Sequence, residues 1–346
     1  MSAAPGTASR HAAVAKLYHA YLTGLILMLS SRRGHQAAGE AVFRVYRQHH
    51  LNKFMPALAK LGLAEMPHAV ACAAYHYLGN RIGGVDVQFM PESDRKAWVR
   101  FVHPRWIYEG TAICGIPIEV SRGMLRGWYA HNGVSLGNDR LGFVCTSEDM
   151  DGGYGLAGYF HEYDEPIPDE QRLRFAPGEK PPPFDPAKAP ALSTESWPAE
   201  RLQKANRTYA MDPVRLLLPV MAEMFGRAEA AALGNHCGRL IGLQYYRQTA
   251  ELLGIAGDDG AAFTHWFAAI ADGQGDQCTV HLDGGDWIIE QPTWAFMAGR
   301  PSPAVFESWN GLWEGALTSH NRFCRWQVID RLDQGDDAFR WRLRAA

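Results

Sequence analysis

The chain has 346 residues, 47% of them hydrophobic and 21% charged, with a formal net charge of −3 at pH 7. That length exceeds one compact core of ordinary size and calls for about two domains, with ample apolar material for each. No run of Lys and Arg is dense enough to draw a polyanion by counterion release, which disfavours nucleic acid as a partner.

Residues Met1 to Arg10 lack the basic-then-apolar pattern of a secretory signal. The most apolar run, 21–29, falls short of the roughly 20 residues a spanning helix needs, so no membrane role is expected. Apolar positions at His11, Val14, Leu17, Tyr18, Tyr21 and Leu25 share one helical face, and Gly34 ends or bends that helix. Further helices are expected over 36–50, 51–61 and 67–78, the last two stopped at Gly62 and at Gly79-Asn80. Strict alternation predicts a strand over 85–89, and a second over 98–102 stops before Pro104. A helix over 117–132 crosses to strands over 141–147 and 155–162, joined by a turn at 149–153 rich in Asp and Gly.

Residues 166–198 hold nine prolines, which disfavour both helix and ladder pairing and read as a linker. Leu173, Phe175, Phe184 and Trp197 punctuate it and would pin it to a domain surface, the alternative to a free tether. Beyond it, helices are expected over 200–225 with a break near Asp212-Pro213, then over 227–253 and 260–271. Strands at 277–282 and 287–290, a helix at 304–319, and strands at 323–330 and 338–343 complete the chain.

This order resembles that of the first half. Tyr46-Arg47-Gln48 returns as Tyr246-Arg247-Gln248, displaced by 246 − 46 = 200 residues. The expectation is therefore an α+β protein of two duplicated units, 1–165 and 200–346, each with helices on a mainly antiparallel sheet, joined by a Pro-rich linker at 166–199. Two such copies commonly dock about a pseudo-two-fold axis, and a homodimer is allowed as well.

The first half is the richer in polar groups. His131 stands at a helix end, where an exposed imidazole suits general acid-base work or simply meets the helix dipole. Asn132 beside it could polarise a carbonyl. Cys145 is a candidate nucleophile, although apolar neighbours favour a buried small side chain. Asp149 is a candidate assistant, although aspartates favour turns for backbone reasons. Arg105 could clamp a carboxylate, with Trp106, Trp128, Tyr129 and His103 around the substrate. Six scattered cysteines without a Cys-x-x-Cys pair point to reduced thiols and a cytoplasmic protein. No His-x-x-x-His, dinucleotide fingerprint, phosphate loop or nucleophile elbow occurs, so neither metal nor cofactor is expected.

Cys324-Arg325-Trp326-Gln327-Val328 and the following Arg331-Leu332-Asp333-Gln334-Gly335-Asp336-Asp337, with a closing aromatic strand, resemble the L-2-amino-thiazoline-4-carboxylic acid hydrolase family. The resemblance covers the last hundred residues or so and implies hydrolysis of a small cyclic amide or amidine without a nucleotide cofactor. The chain departs from that family in its doubled length and in having Ala338-Phe339-Arg340 where a cysteine is expected. The functional expectation is a hydrolase of a small, carboxylate-bearing cyclic substrate. Its alternative is a non-catalytic binding or sensing protein with an aromatic-lined pocket.

Overall fold

Gly34 (φ 87°) and Gly226 (φ 81°) lie in the half of backbone space that side chains avoid, and each ends one long helix and opens another. The helices they separate are α1 (Thr7–Arg33) from α2 (His35–Lys60), and α6 (Ala199–Phe225) from α7 (Arg227–Leu252). The computed structural model describes residues 5–103, 109–153, 155–192, 195–297 and 301–344. Between and after the long helices come α3 (His68–Ile82), β1 (Val87–Ser93), β2 (Lys96–Phe101), α4 (Ile118–Gly127), α5 (Asn132–Ser135), β3 (Leu141–Ser147), β4 (Ala157–Glu162) and β5 (Leu173–Phe175). The remainder are α8 (Gly260–Gln274), β6 (Thr279–Asp283), β7 (Asp286–Gln291), α9 (Pro303–His320), β8 (Arg325–Asp330) and β9 (Phe339–Arg344). The protein is α+β, with one sheet ordered β1-β2-β4-β3-β5 and another ordered β6-β7-β9-β8. All pairings are antiparallel except β3 with β5.

Contacts divide the chain into two compact units, one of Ile26–Leu202 and the other of residues up to Leu25 with Gln203 onward. They are called here the central and the split unit. This division differs from the expected boundaries in two ways. The segment 166–199 belongs with the central unit, and most of α1 belongs with the second half of the chain. Leu173–Phe175 pairs in parallel with Phe143–Cys145, and Phe184 and Ala176 pack on Met90, Trp98, Val144 and Tyr159. Trp197 takes the cations of Lys60 and Arg201 on its faces. The apolar punctuation of the proline-rich stretch thus straps it to its own sheet.

Local signals were overridden in several places. α2 runs unbroken across 50–51 and past Pro56, and α6 passes through Pro213 and Pro219. At the expected break Asp212 is buried and ion-paired with Arg215 one turn on, at 2.8 Å. α1 extends the apolar run to 27 residues, long and apolar enough by composition to cross a membrane, with 61% of its apolar window buried inside the protein. The expected helix 117–132 stops at Gly127, and Tyr129–His131 forms a 3-10 turn before α5. Tyr46 and Tyr246, the markers of the 200-residue displacement, do not stand at equivalent helix positions, because α2 and α7 begin at 35 and 227.

Each unit is built on two parallel helices in backbone contact. In the central unit, a Cβ on Gly39 would lie 2.7 Å from Glu119 O, one on Gly127 would lie 2.7 Å from Phe43 O, and Gly123 abuts Gly39 O. In the split unit Gly234, Gly238 and Gly242 of α7 face Ser308, Gly311 and Gly315 of α9, and a Cβ on Gly311 would lie 2.5 Å from Asn235 O. Ordinary side chains hold helix axes about 8–10 Å apart, and only glycine at four-residue spacing brings backbones closer. Over the seam of the split unit lies an aromatic core of Trp266, Trp309, Trp313 and Trp341, where Asn310 Oδ1 accepts from Trp341 Nε1 at 2.9 Å. Gly127→Ala and Gly311→Ala should each destabilise by about 1–3 kcal/mol, as overpacking does. Gly79→Ala, a helical glycine with nothing within 4 Å, should instead be neutral or stabilising by up to about 1 kcal/mol. Urea unfolding midpoints of the three variants check this, and equal losses in all three would contradict the seam.

Candidate functional site

Asn132 lies in the core of the central unit and His131 is half-buried beside it, because the helix that precedes them ends early and a 3-10 turn follows. Asn132 is fully buried, and its Nδ2 donates to His76 Nε2 at 3.0 Å. Tyr129 stacks on His76 with centroids 3.9 Å apart, and Trp128 sits between His49 and Tyr75. The His131 ring meets His50 edge-on at 5.1 Å, and His50 Nε2 lies 2.9 Å from Ser135 Oγ. Four of the expected site residues are therefore together, as parts of an aromatic and histidine cluster. Among the described residues, Asn132 Oδ1, Trp128 Nε1 and His50 Nδ1 are buried without a protein hydrogen-bond partner, each an expense of about 1–3 kcal/mol unless water fills the role. No group of three or more His, Cys, Asp or Glu among the described residues is arranged to hold a metal ion.

The other expected residues stand on different elements. His103 Nε2 is 2.7 Å from Asp149 Oδ1, a half-exposed imidazole on a buried carboxylate at the β3-β4 turn. Cys145 is 2% exposed within β3, its Sγ directed at Ser147 O at 3.5 Å, and none of the six cysteines is in a disulfide. Arg105 and Trp106 lie outside the described residues.

A set that sequence reasoning missed converges on an open cleft of about 680 Å³ in the central unit. Its floor is the 137–140 loop, its walls the start of α3, the β1-β2 turn and the end of β4. Asn138 organises it. Its Nδ2 donates both to Glu162 Oε2 and to His68 Nδ1, each at 3.0 Å, and its Oδ1 accepts from the Arg140 amide at 3.0 Å. An amide nitrogen only donates, so His68 Nδ1 is the acceptor and the neutral ring carries its proton on Nε2. A flipped amide would set its oxygen against the carboxylate. Arg95 is ion-paired with Asp164 at 2.8 Å, whereas Arg140 reaches only the Asp164 carbonyl at 3.4 Å.

The loop is fixed by the proline-rich strap and its approach. Arg172, 7% exposed, donates from one nitrogen to Asn138 O at 3.0 Å and Leu141 O at 3.1 Å, and pairs through Nε with Asp169 at 2.8 Å. Backbone bonds from Ile167 to Asp139 O and from Tyr163 to Arg140 O, both 2.9 Å, add to this. The signal in the sequence was faint: Pro67-His68 as a helix start and Gly137-Asn138 as a turn mark the places, but nothing local joins residues 70 and 24 positions apart.

The cleft combines a polarising imidazole N-H, the Glu162 carboxylate and the Arg140 guanidinium, with Glu65, Asp94 and Asp139 also in its lining. Such a set can orient a carboxylate ligand and move a proton beside it. Comparison of the chain with family models, with curated proteins and with solved structures finds no match.

The buried cluster has its own consequence. Burial, then the charges of His131, Arg47 and His49, hold His50 down at about 3, and burial and Arg47 hold His131 at about 4. His76 is pushed well below its ordinary value by burial. These rings are neutral when folded and titrate near 6.5 when unfolded. Below that pH the unfolded chain binds more protons, so stability is full above about 6.5 and is lost as the pH falls toward 4, with a slope of up to about 1.4 kcal/mol per pH unit per histidine. His50→Leu should flatten the fall in urea midpoint between pH 6.5 and 4, and an unchanged slope would show that the cluster does not govern acid stability.

Proposed function

We propose that the protein hydrolyses a C-N bond of a small cyclic amide or amidine bearing a carboxylate, in the cleft that Asn138 organises. The observation that carries the reading is the double donation of the Asn138 amide to Glu162 and His68, which presets a base and a hydrogen-bond donor beside Arg140. The resemblance of the closing hairpin to the L-2-amino-thiazoline-4-carboxylic acid hydrolase family supports the same substrate class.

In this reading Arg140 holds the substrate carboxylate, and His68 Nε2-H donates to the carbonyl oxygen. Glu162 takes a proton from water as the new O-C bond forms. The tetrahedral oxyanion is stabilised by His68. The C-N bond then breaks, the ring nitrogen takes the proton back from Glu162, and the ring opens. His131, Asn132, Cys145 and Asp149 have structural parts in this scheme.

We also infer that the chain is an internal duplication in a register of 192 residues: α2 and α7 begin at 35 and 227, α3 and α8 at 68 and 260, β1 and β6 at 87 and 279. Supporting it are the equal lengths of α2 and α7, 26 residues each, and of α3 and α8, 15 each. In that register the first residue of α3, His68, corresponds to Gly260; by order in the sheets, the last residue of β4, Glu162, corresponds to the last of β9, Arg344, 182 residues on. A Cβ at Gly260 would lie 2.6 Å from Trp287, so an indole takes the space a side chain would need. The second copy thus lacks the cleft's acid-base pair and serves as scaffold.

A panel of five- and six-membered cyclic amides and amidines, with and without a ring carboxylate, tests the reading by mass spectrometry of the ring-opened product. Turnover should favour carboxylate-bearing members. Glu162→Gln should lower kcat by about 10²-fold or more, as loss of a general base does. Arg140→Ala should raise KM about tenfold with a smaller change in kcat, consistent with loss of a charged contact. His131→Ala should leave kcat unchanged. Saturable binding without product would favour a binding protein instead.

A further inference from the structure

The outward face of the central unit's sheet carries a second cavity of about 320 Å³, walled by Tyr159, Tyr163, His161 and Lys96 of the sheet and by Arg174 and Phe175 of the strap. Adjacent residues of a strand point to opposite faces, so His161 opens to this cavity and Glu162 to the cleft of the proposed hydrolase. The two sites are therefore separate.

The walls are aromatic and the rim is cationic. Lys96 Nζ stands 4.3 Å from the Tyr159 ring centroid and 5.0 Å from that of Trp98. It is held there by Glu92 at 2.8 Å, which also accepts from Trp98 Nε1 at 2.6 Å. Tyr159 is fixed by donating its hydroxyl to Glu179 of the strap. Arg174 lies over Tyr163 at 4.4 Å and donates to the Gln171 amide oxygen at 2.8 Å, with no carboxylate partner among the described residues. His161 meets Tyr163 edge-on at 4.5 Å, and its Nδ1 is buried without a protein partner among the described residues. Phe175 remains 43% exposed at the mouth.

We propose that this cavity is a binding site for a planar aromatic carboxylate, its ring against Tyr159 and Phe175 and its carboxylate on Arg174 and His161. A flat π-surface is needed to use the tyrosine and phenylalanine faces. A carboxylate suits a guanidinium that reaches only the Gln171 amide and the Tyr163 ring and has no carboxylate partner among the described residues. Lys96 is ion-paired with Glu92, and Glu179 is held by the Tyr159 hydroxyl, so Arg174 is the cation left to act as anchor. The volume lies at the small end of ligand pockets, about 300–1,000 Å³, and suits one or two fused rings. The outward face of the split unit's sheet lacks these features. There Arg340 is taken by Glu290 and Asp330, and Arg344 by Asp286.

Isothermal titration of the full chain with 1-naphthoate, 1-naphthamide and cyclohexanecarboxylate tests the assignment. Saturable binding of 1-naphthoate is expected, at least tenfold tighter than either analogue, the one lacking the charge and the other the aromatic plane. Arg174→Ala should weaken 1-naphthoate at least tenfold, with its circular dichroism unchanged, and Arg140→Ala should have no effect. An unchanged affinity in folded Arg174→Ala, the absence of saturable binding, or a loss in Arg140→Ala that Arg174→Ala does not share would overturn it. Lys96→Met keeps the apolar stem over Tyr159 and should weaken binding less than Arg174→Ala does; the reverse order would remove Arg174 as the anchor.

Discussion

Both units depend on one constraint, the approach of two parallel helices to backbone contact along a glycine seam. In the central unit Gly39 of α2 meets Glu119 and Gly123 of α4, and Gly127 meets Phe43 and Arg47; in the split unit Gly234 of α7 meets Ser308, and Gly238 and Gly242 meet the backbone of α9 around Gly311 and Gly315. Most of these contacts are with main-chain atoms, so their geometry tolerates little displacement. Everything carried by α4 and α9 inherits that precision. In the split unit α9 supplies Trp309 and Trp313 to a core of stacked indoles, and Tyr18 of α1 accepts from Trp309 Nε1 at 2.8 Å.

In the central unit the seam ends where the cleft begins. Past Gly127 the chain tightens into the 3-10 turn, buries Tyr129 and Asn132, and emerges as the loop of Asn138 and Arg140. The strap completes the support: Arg172 places a buried guanidinium under the loop carbonyls, and Asp169 balances its charge. A cleft group held by its own backbone, by a buried cation and by a three-bonded amide is preorganised in the sense catalysis requires. The proline-rich composition fits that duty, since such a segment needs few ladder bonds of its own and carries its contacts through side chains.

The positions of most elements are legible in the sequence, because strand alternation at 85–89 and glycine stops such as Gly34 are local signals. What escapes is non-local. Pro213 and Pro219 should break α6, but tertiary packing around a buried Asp212 overrides propensity. The Tyr-Arg-Gln triplets suggested a displacement of 200, whereas α2 and α7, and α3 and α8, begin 192 residues apart. For the site, histidine and asparagine at 131 and 132 attracted notice as a helix end; their burial follows from where the 3-10 turn folds, which no pattern in the sequence reports. His68, Asn138 and Glu162 are ordinary residues singly and become a site only through three elements meeting at one loop.

The most direct test of the cleft is the tautomer and ligand response of His68, read from imidazole ¹⁵N shifts of the full chain at neutral pH. A bare Nδ1, a protonated Nε2, and movement of both His68 and the Arg140 side-chain signals on adding a carboxylate-bearing cyclic amide are predicted. A proton on Nδ1, or a response confined to other histidines while His68 and Arg140 stay fixed, would contradict the Asn138-centred site.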